Sequence, residues 1–171
     1  MHHTSRAGML ALTLLAAPAL QAIAAELPAD IPACPLLTVE EVGHAFHEAV
    51  EAAEQAPMGG GAGRGRQTVC FWTPAGGALG ATVSLTVWSW PSGHPGAAGS
   101  IDALRVPGDP GHPSPEAVAL GDDAAWDGDR LQVRRGEVVF TLAASLNALD
   151  DVPDARPALE ALAAKVLERL P

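Results

Sequence analysis

The chain carries two cysteines, Cys34 and Cys70. In an exported protein such a pair points to one bridge. A pair of free thiols and half of a metal site are the alternatives. A zinc site wants further ligands at short spacing. Neither a Cys-x-x-Cys nor a paired histidine lies near either cysteine. The disulfide is the reading favoured. It would close a loop of about 37 residues and stabilise the fold by about 4 kcal/mol through loop-closure entropy. Cys34 begins a helix-start segment and Cys70 sits inside a strand-like run, so a bridge would staple a helix to a sheet.

Export is expected from the first residues. Arg6 gives a positive start, followed by an apolar run from Met9 to Ala17. That run is too short to span a bilayer, for which about 20 residues are needed. Ala22-Ile23-Ala24 places small residues where a signal peptidase reads them. Positions 1–24 therefore read as a signal peptide, cut after Ala24 or Ala25. A retained membrane anchor is the alternative, but no longer apolar run follows. Cleavage would leave 25–171, enough for one domain over 34–171 behind a short segment at 25–33. The whole chain has a net charge of −10, with 10 basic and 20 acidic residues. That balance argues against nucleic acid and anionic membranes as partners. A periplasmic or secreted protein is the expectation, with no stable membrane insertion once the signal is gone.

The segment after Cys34 holds a specific helix-start signal. Thr38 and Glu41 have the spacing of a capping box, and Leu37 and Val42 that of a hydrophobic staple. Apolar residues recur at Val42, Ala45, Phe46, Ala49, Val50 and Ala53, which predicts a helix over 39–53. The stretch 55–66 contains Gly59, Gly60, Gly61, Gly63 and Gly65, and reads as a mobile linker. A phosphate loop is the less favoured alternative, because the Gly-Lys-Ser/Thr ending is missing and a helix is predicted before the glycines, where a phosphate loop follows a strand.

Strands are predicted at 67–73 and 81–90. In the second, Ala81, Val83, Leu85 and Val87 point one way, towards a helix, and Thr82, Ser84, Thr86, Trp88 and Trp90 the other. A short helix at 95–105 is weakened by Gly96 and Gly99. The stretch 107–115 is a proline-rich loop. Strands at 131–134 and 138–143 follow an Asp127-Gly128-Asp129 turn. A final helix, capped by Asp154, buries Leu159, Leu162, Val166 and Leu170. The expected architecture is α+β: an antiparallel sheet of four to five strands packed against two main helices, with one disulfide.

Cys34 to Val42 (Cys-Pro-Leu-Leu-Thr-x-x-Glu-Val), Cys70 to Trp72, Gly121 to Ala124, Leu131 to Phe140 and Leu162 to Leu167 together resemble the family catalogued as domain of unknown function 3558. The first two elements are the most specific. The resemblance covers nearly the whole mature chain and implies a small exported α+β protein with the disulfide. It transfers no catalytic residue, and this chain lacks the lipid-anchoring cysteine of many members.

Candidate sites are few. His44, His47, Glu48 and Glu51 fall at i, i+3, i+4 and i+7 of the first predicted helix, as a nitrogen–oxygen metal site would, or as a solvated face would. Asp122, Asp123, Asp127 and Asp129 crowd one stretch, but the spacing is not that of an EF-hand, and turn residues are the simpler reading. Asp122 and Asp123 could also form an acid/base pair, although nothing marks a substrate pocket beside them. No Gly-x-Ser-x-Gly elbow and no cofactor motif is present. Trp88 and Trp90 share one strand face, where two indoles either bind a sugar, ring or peptide or are covered as core. The sequence thus points to a non-catalytic exported binding module for a small ligand or an envelope protein. An envelope structural or inhibitory protein acting by docking, and a metal-dependent hydrolase, are the rivals.

Overall fold

The computed structural model describes residues 30–59, 65–77, 81–105, 114–146 and 154–171. The signal segment, His2 and His3, the centre of the glycine run, most of the 107–115 loop and His112 lie outside them. The described chain builds one seven-stranded antiparallel sheet. Its strands are β1 (Val50–Gly59), β2 (Arg66–Pro74), β3 (Ala81–Ser89), β4 (Glu116–Ala117), β5 (Asp123–Trp126), β6 (Arg130–Arg135) and β7 (Val138–Leu146). Three helices accompany it: α1 (Val39–Phe46), α2 (Gly96–Arg105) and α3 (Arg156–Arg169). The α+β class and the disulfide are as the sequence implies; the sheet is larger than the four to five strands expected.

The strand order is β1-β2-β3-β7-β6-β5-β4. Two meanders, β1–β3 and β4–β7, therefore meet where β3 pairs β7, and α2 lies in the connection between them. The pairing of Leu85 with Leu142 and of Val87 with Phe140 fixes the register at this seam. Those residues, with Val83, Leu131, Val133, Cys70 and Trp72, face α1 and α3 and form the main core with Val42, Leu159, Leu162, Ala163 and Val166. All of them are at most 1% exposed. At about 1.5–3 kcal/mol for each buried Val, Leu or Phe side chain, this layer dominates the stability.

The helix predicted over 39–53 stops at Phe46, and the strand β1 takes over from Val50. The stop is a Schellman arrangement. The Glu48 N–H donates to the Gly43 carbonyl at 2.9 Å and the His47 N–H to the His44 carbonyl at 3.4 Å. His47 occupies the left-handed position, φ 55°. Glycine is usual there, so no stop signal is visible in the residues themselves. The helix end and linker expected over 50–59 are instead strand, because pairing with β2 overrides weak strand propensity. Pro57 fits because β1 is an edge strand and its ladder is irregular between Gln55 and Met58, where a missing N–H costs least.

The capping box forms as predicted. The Glu41 N–H donates to Thr38 Oγ1 at 3.2 Å, and the Thr38 N–H donates to Glu41 Oε2 at 2.9 Å. Glu41 also receives both terminal nitrogens of Arg169, at 2.6 and 2.7 Å, and Lys165 Nζ at 3.1 Å. The Arg169 hydrogen bonds, with help from Thr38 and Lys165, outweigh partial burial and hold the Glu41 carboxyl far below the usual carboxylate range. Arg169 reaches the Leu36 carbonyl as well, at 2.9 Å. This clasp ties α1 to α3 beside the Cys34–Cys70 bridge, whose Cα atoms are 5.0 Å apart. The final helix begins one residue later than expected. Ala155 is its cap, and Asp154 Oδ1 instead accepts from the Arg156 N–H at 3.0 Å.

Candidate functional site

The opposite sheet face is built from the alternate residues of the same strands. Register places Gln67, Trp88, Val139 and Arg134 in one row across β2, β3, β7 and β6. Val69, Thr86, Thr141 and Gln132 form the next, and Phe71, Ser84 and Ala143 begin a third. Ser84, Thr86, Thr141, Gln132 and Phe71 are half-buried. Helix α2 covers only one end of this face, where Ala97, Ile101 and Val139 make a small separate cluster with Trp90 packed against it.

Trp88 and Trp90 lie on this face, and both are half-buried. Their rings stack with centroids 5.9 Å apart and planes 22° from parallel. Such a separation is within the range that aromatic pairs prefer. The two differ in how they are held. Trp90 follows the end of β3, and its N–H donates to the Glu137 carbonyl at 3.0 Å. Its indole rests against Gly65 and Gly96. A Cβ on Gly65 would lie 2.8 Å from the ring, and one on Gly96 would collide with the indole nitrogen. Both glycines are thus required by close approach of the ring. Trp88 is backed by Trp90 and lies beside Gln67 in the register, with Thr86 two positions before it on the same face. In the sequence Gly96 reads only as a weakness in a helix; its role as a seat for Trp90 needs the fold.

The two metal candidates are placed differently from the expectation. Because α1 ends at Phe46, His47 and Glu48 are in the turn and Glu51 is on β1, so the four residues do not share a helix face. The rings of His44 and His47 have centroids 6.3 Å apart. The aspartates are engaged in turns and ion pairs. Asp122 Oδ2 accepts from the Gly136 N–H at 2.6 Å and from Arg134 Nη1 at 3.4 Å, holding the β6–β7 hairpin. Asp123 pairs with both terminal nitrogens of Arg105 at the end of α2. Asp127 accepts the N–H groups of Asp129, at 3.2 Å, and Arg130, at 3.0 Å. Burial raises the Asp127 pKa, but Arg130 and these backbone donors win and lower it. Among the described residues no three His, Cys, Asp or Glu side chains converge as a metal site would require. Nor is any described helix long and apolar enough to cross a membrane.

Comparison with protein-family models, with curated proteins and with solved structures finds no match.

Proposed function

We propose that this is an exported, non-catalytic binding module whose contact surface is the open sheet face at Trp88, backed by Trp90. The carrying observation is the stacked pair itself, one ring fixed between two glycines and the other half-buried on a mixed face where Gln67, Thr86 and Thr141 lie among Val69, Phe71 and Val139. The Trp88 indole, backed by the fixed Trp90 and with amide and hydroxyl side chains in its own and the next row (Gln67, Thr86, Thr141), suits a small ligand with a flat apolar face and polar edges, such as a sugar or an aromatic ring. A small ligand is favoured over a protein partner because Val39 is the one large hydrophobic side chain exposed among the described residues. Export is part of this reading. The leader-like N-terminus and the disulfide support it, since such bonds persist in oxidising compartments. So does the resemblance to domain of unknown function 3558, carried by Cys34 to Val42 and Cys70 to Trp72.

The test is a fluorescence screen of sugars and aromatic compounds against the wild type and Trp88→Ala. The variant is expected to keep its circular dichroism and melting behaviour and to lose the ligand response. A Trp88→Ala protein that unfolds, or that binds as well as the wild type, would sink the proposal.

A further inference from the structure

We infer that α2 is a displaceable cover and that its melting away from the sheet controls access to the indole face; this rests on the reading of that face as a contact surface. The helix is short and contains Gly96 and Gly99. Each glycine disfavours helix relative to alanine. Its hold on the sheet is small. Ala97 and Ile101 are its buried side chains, and their cluster with Val139 is separated from the main core by the sheet. At its far end the hold is the Arg105–Asp123 ion pair, and Arg105 is 41% exposed. At its start, Gly96 rests on Trp90. On the other face, α3 buries Leu159, Leu162, Ala163 and Val166 and adds the Glu41 clasp.

A helix shorter than about 12–15 residues is marginal in water when isolated. Once off the sheet, α2 therefore unfolds, and undocking and melting are one event. That event frees one side of the Trp90 ring and uncovers Val139, directly beside Trp88 in the register. Arg134 is next in that row, and its Nε is buried without a hydrogen-bond partner among the described residues. The strip open at Trp88 would then extend across β7 to a guanidinium group.

Native-state hydrogen exchange on the intact protein tests this. Amides of residues 100–105 are expected to exchange at least about 100-fold faster than those of β3 and β7, as a separately opening unit does. Gly99 is exposed, with open space where a Cβ would stand. Gly99→Ala is expected to slow exchange in α2 by about two- to five-fold, leave the strands unchanged and reduce acrylamide quenching of indole fluorescence. Arg105→Ala is expected to move exchange and quenching the opposite way. An α2 that exchanges as slowly as β7, or a Gly99→Ala effect spread equally over the sheet, would show one cooperative unit and overturn the inference. These readouts need no ligand, so a failed ligand screen would remove the binding proposal and leave the cover intact.

Discussion

On the face covered by α1 and α3, Val83, Leu85, Val87, Phe140 and Leu142 are at most 1% exposed. A disulfide and the ionic clasp on Glu41 reinforce that side. On the other face, one strand position away, Ser84, Thr86 and Thr141 stay half-exposed, and a short helix covers only the Val139 end. The same strands supply both, because the side-chain period of two assigns alternate residues to opposite sides. The difference teaches where this domain spends its cohesion: stability is concentrated under α1 and α3, and the α2 side is left free to change.

The widest test of that contrast pairs Phe140→Ala with Ile101→Ala. Phe140 lies in the main core. Its truncation is expected to cost about 3–5 kcal/mol in denaturant unfolding. Ile101→Ala is expected to leave the unfolding midpoint close to wild type while speeding exchange in α2. Equal losses at both would erase the distinction between the faces. Replacing Cys34 and Cys70 together by alanine should remove about 4 kcal/mol, read in the same experiment.

Glu41→Gln keeps the shape of the clasp and removes its charge, for an expected loss of about 1–2 kcal/mol at neutral pH. The folded carboxyl titrates below its ordinary value of 4.5. Its contribution is therefore fully present above that value and disappears as pH falls from there through the folded-state value. Melts at decreasing pH should draw wild type and Glu41→Gln progressively together below about pH 4. A constant gap would show that the carboxylate charge is not what holds α1 to α3. The smallest effect has the opposite sign. His47→Gly removes a left-handed strain and is expected to stabilise by about 1 kcal/mol, read as a raised melting temperature.

Much of the sealed face was legible in the residue order. The Thr38–Glu41 capping box, the alternation in β3 and the Leu159–Val166 spacing each depend on neighbours in sequence. Arg169 and Lys165 could not be assigned to Glu41 in that way, because the clasp joins opposite ends of the chain. The stretch 47–59 reads as helix and linker for two reasons. Histidine fills the position that glycine normally marks, and apolar residues at helical spacing continue into a strand that only β2 induces. On the indole face, Trp88 and Trp90 were visible as a pair. Which of them is anchored was not, since Gly65 and Gly96 approach Trp90 from separate parts of the chain.

The edge at β1 has a bearing on handling this protein in bulk. An exposed outer strand normally invites another copy to add itself in register and start a fibre. Here Pro57 has no N–H to offer, the ladder slips between Gln55 and Met58, and Glu51 places a charge near one end. Each of these is a device by which an outer strand discourages a second copy from pairing along it.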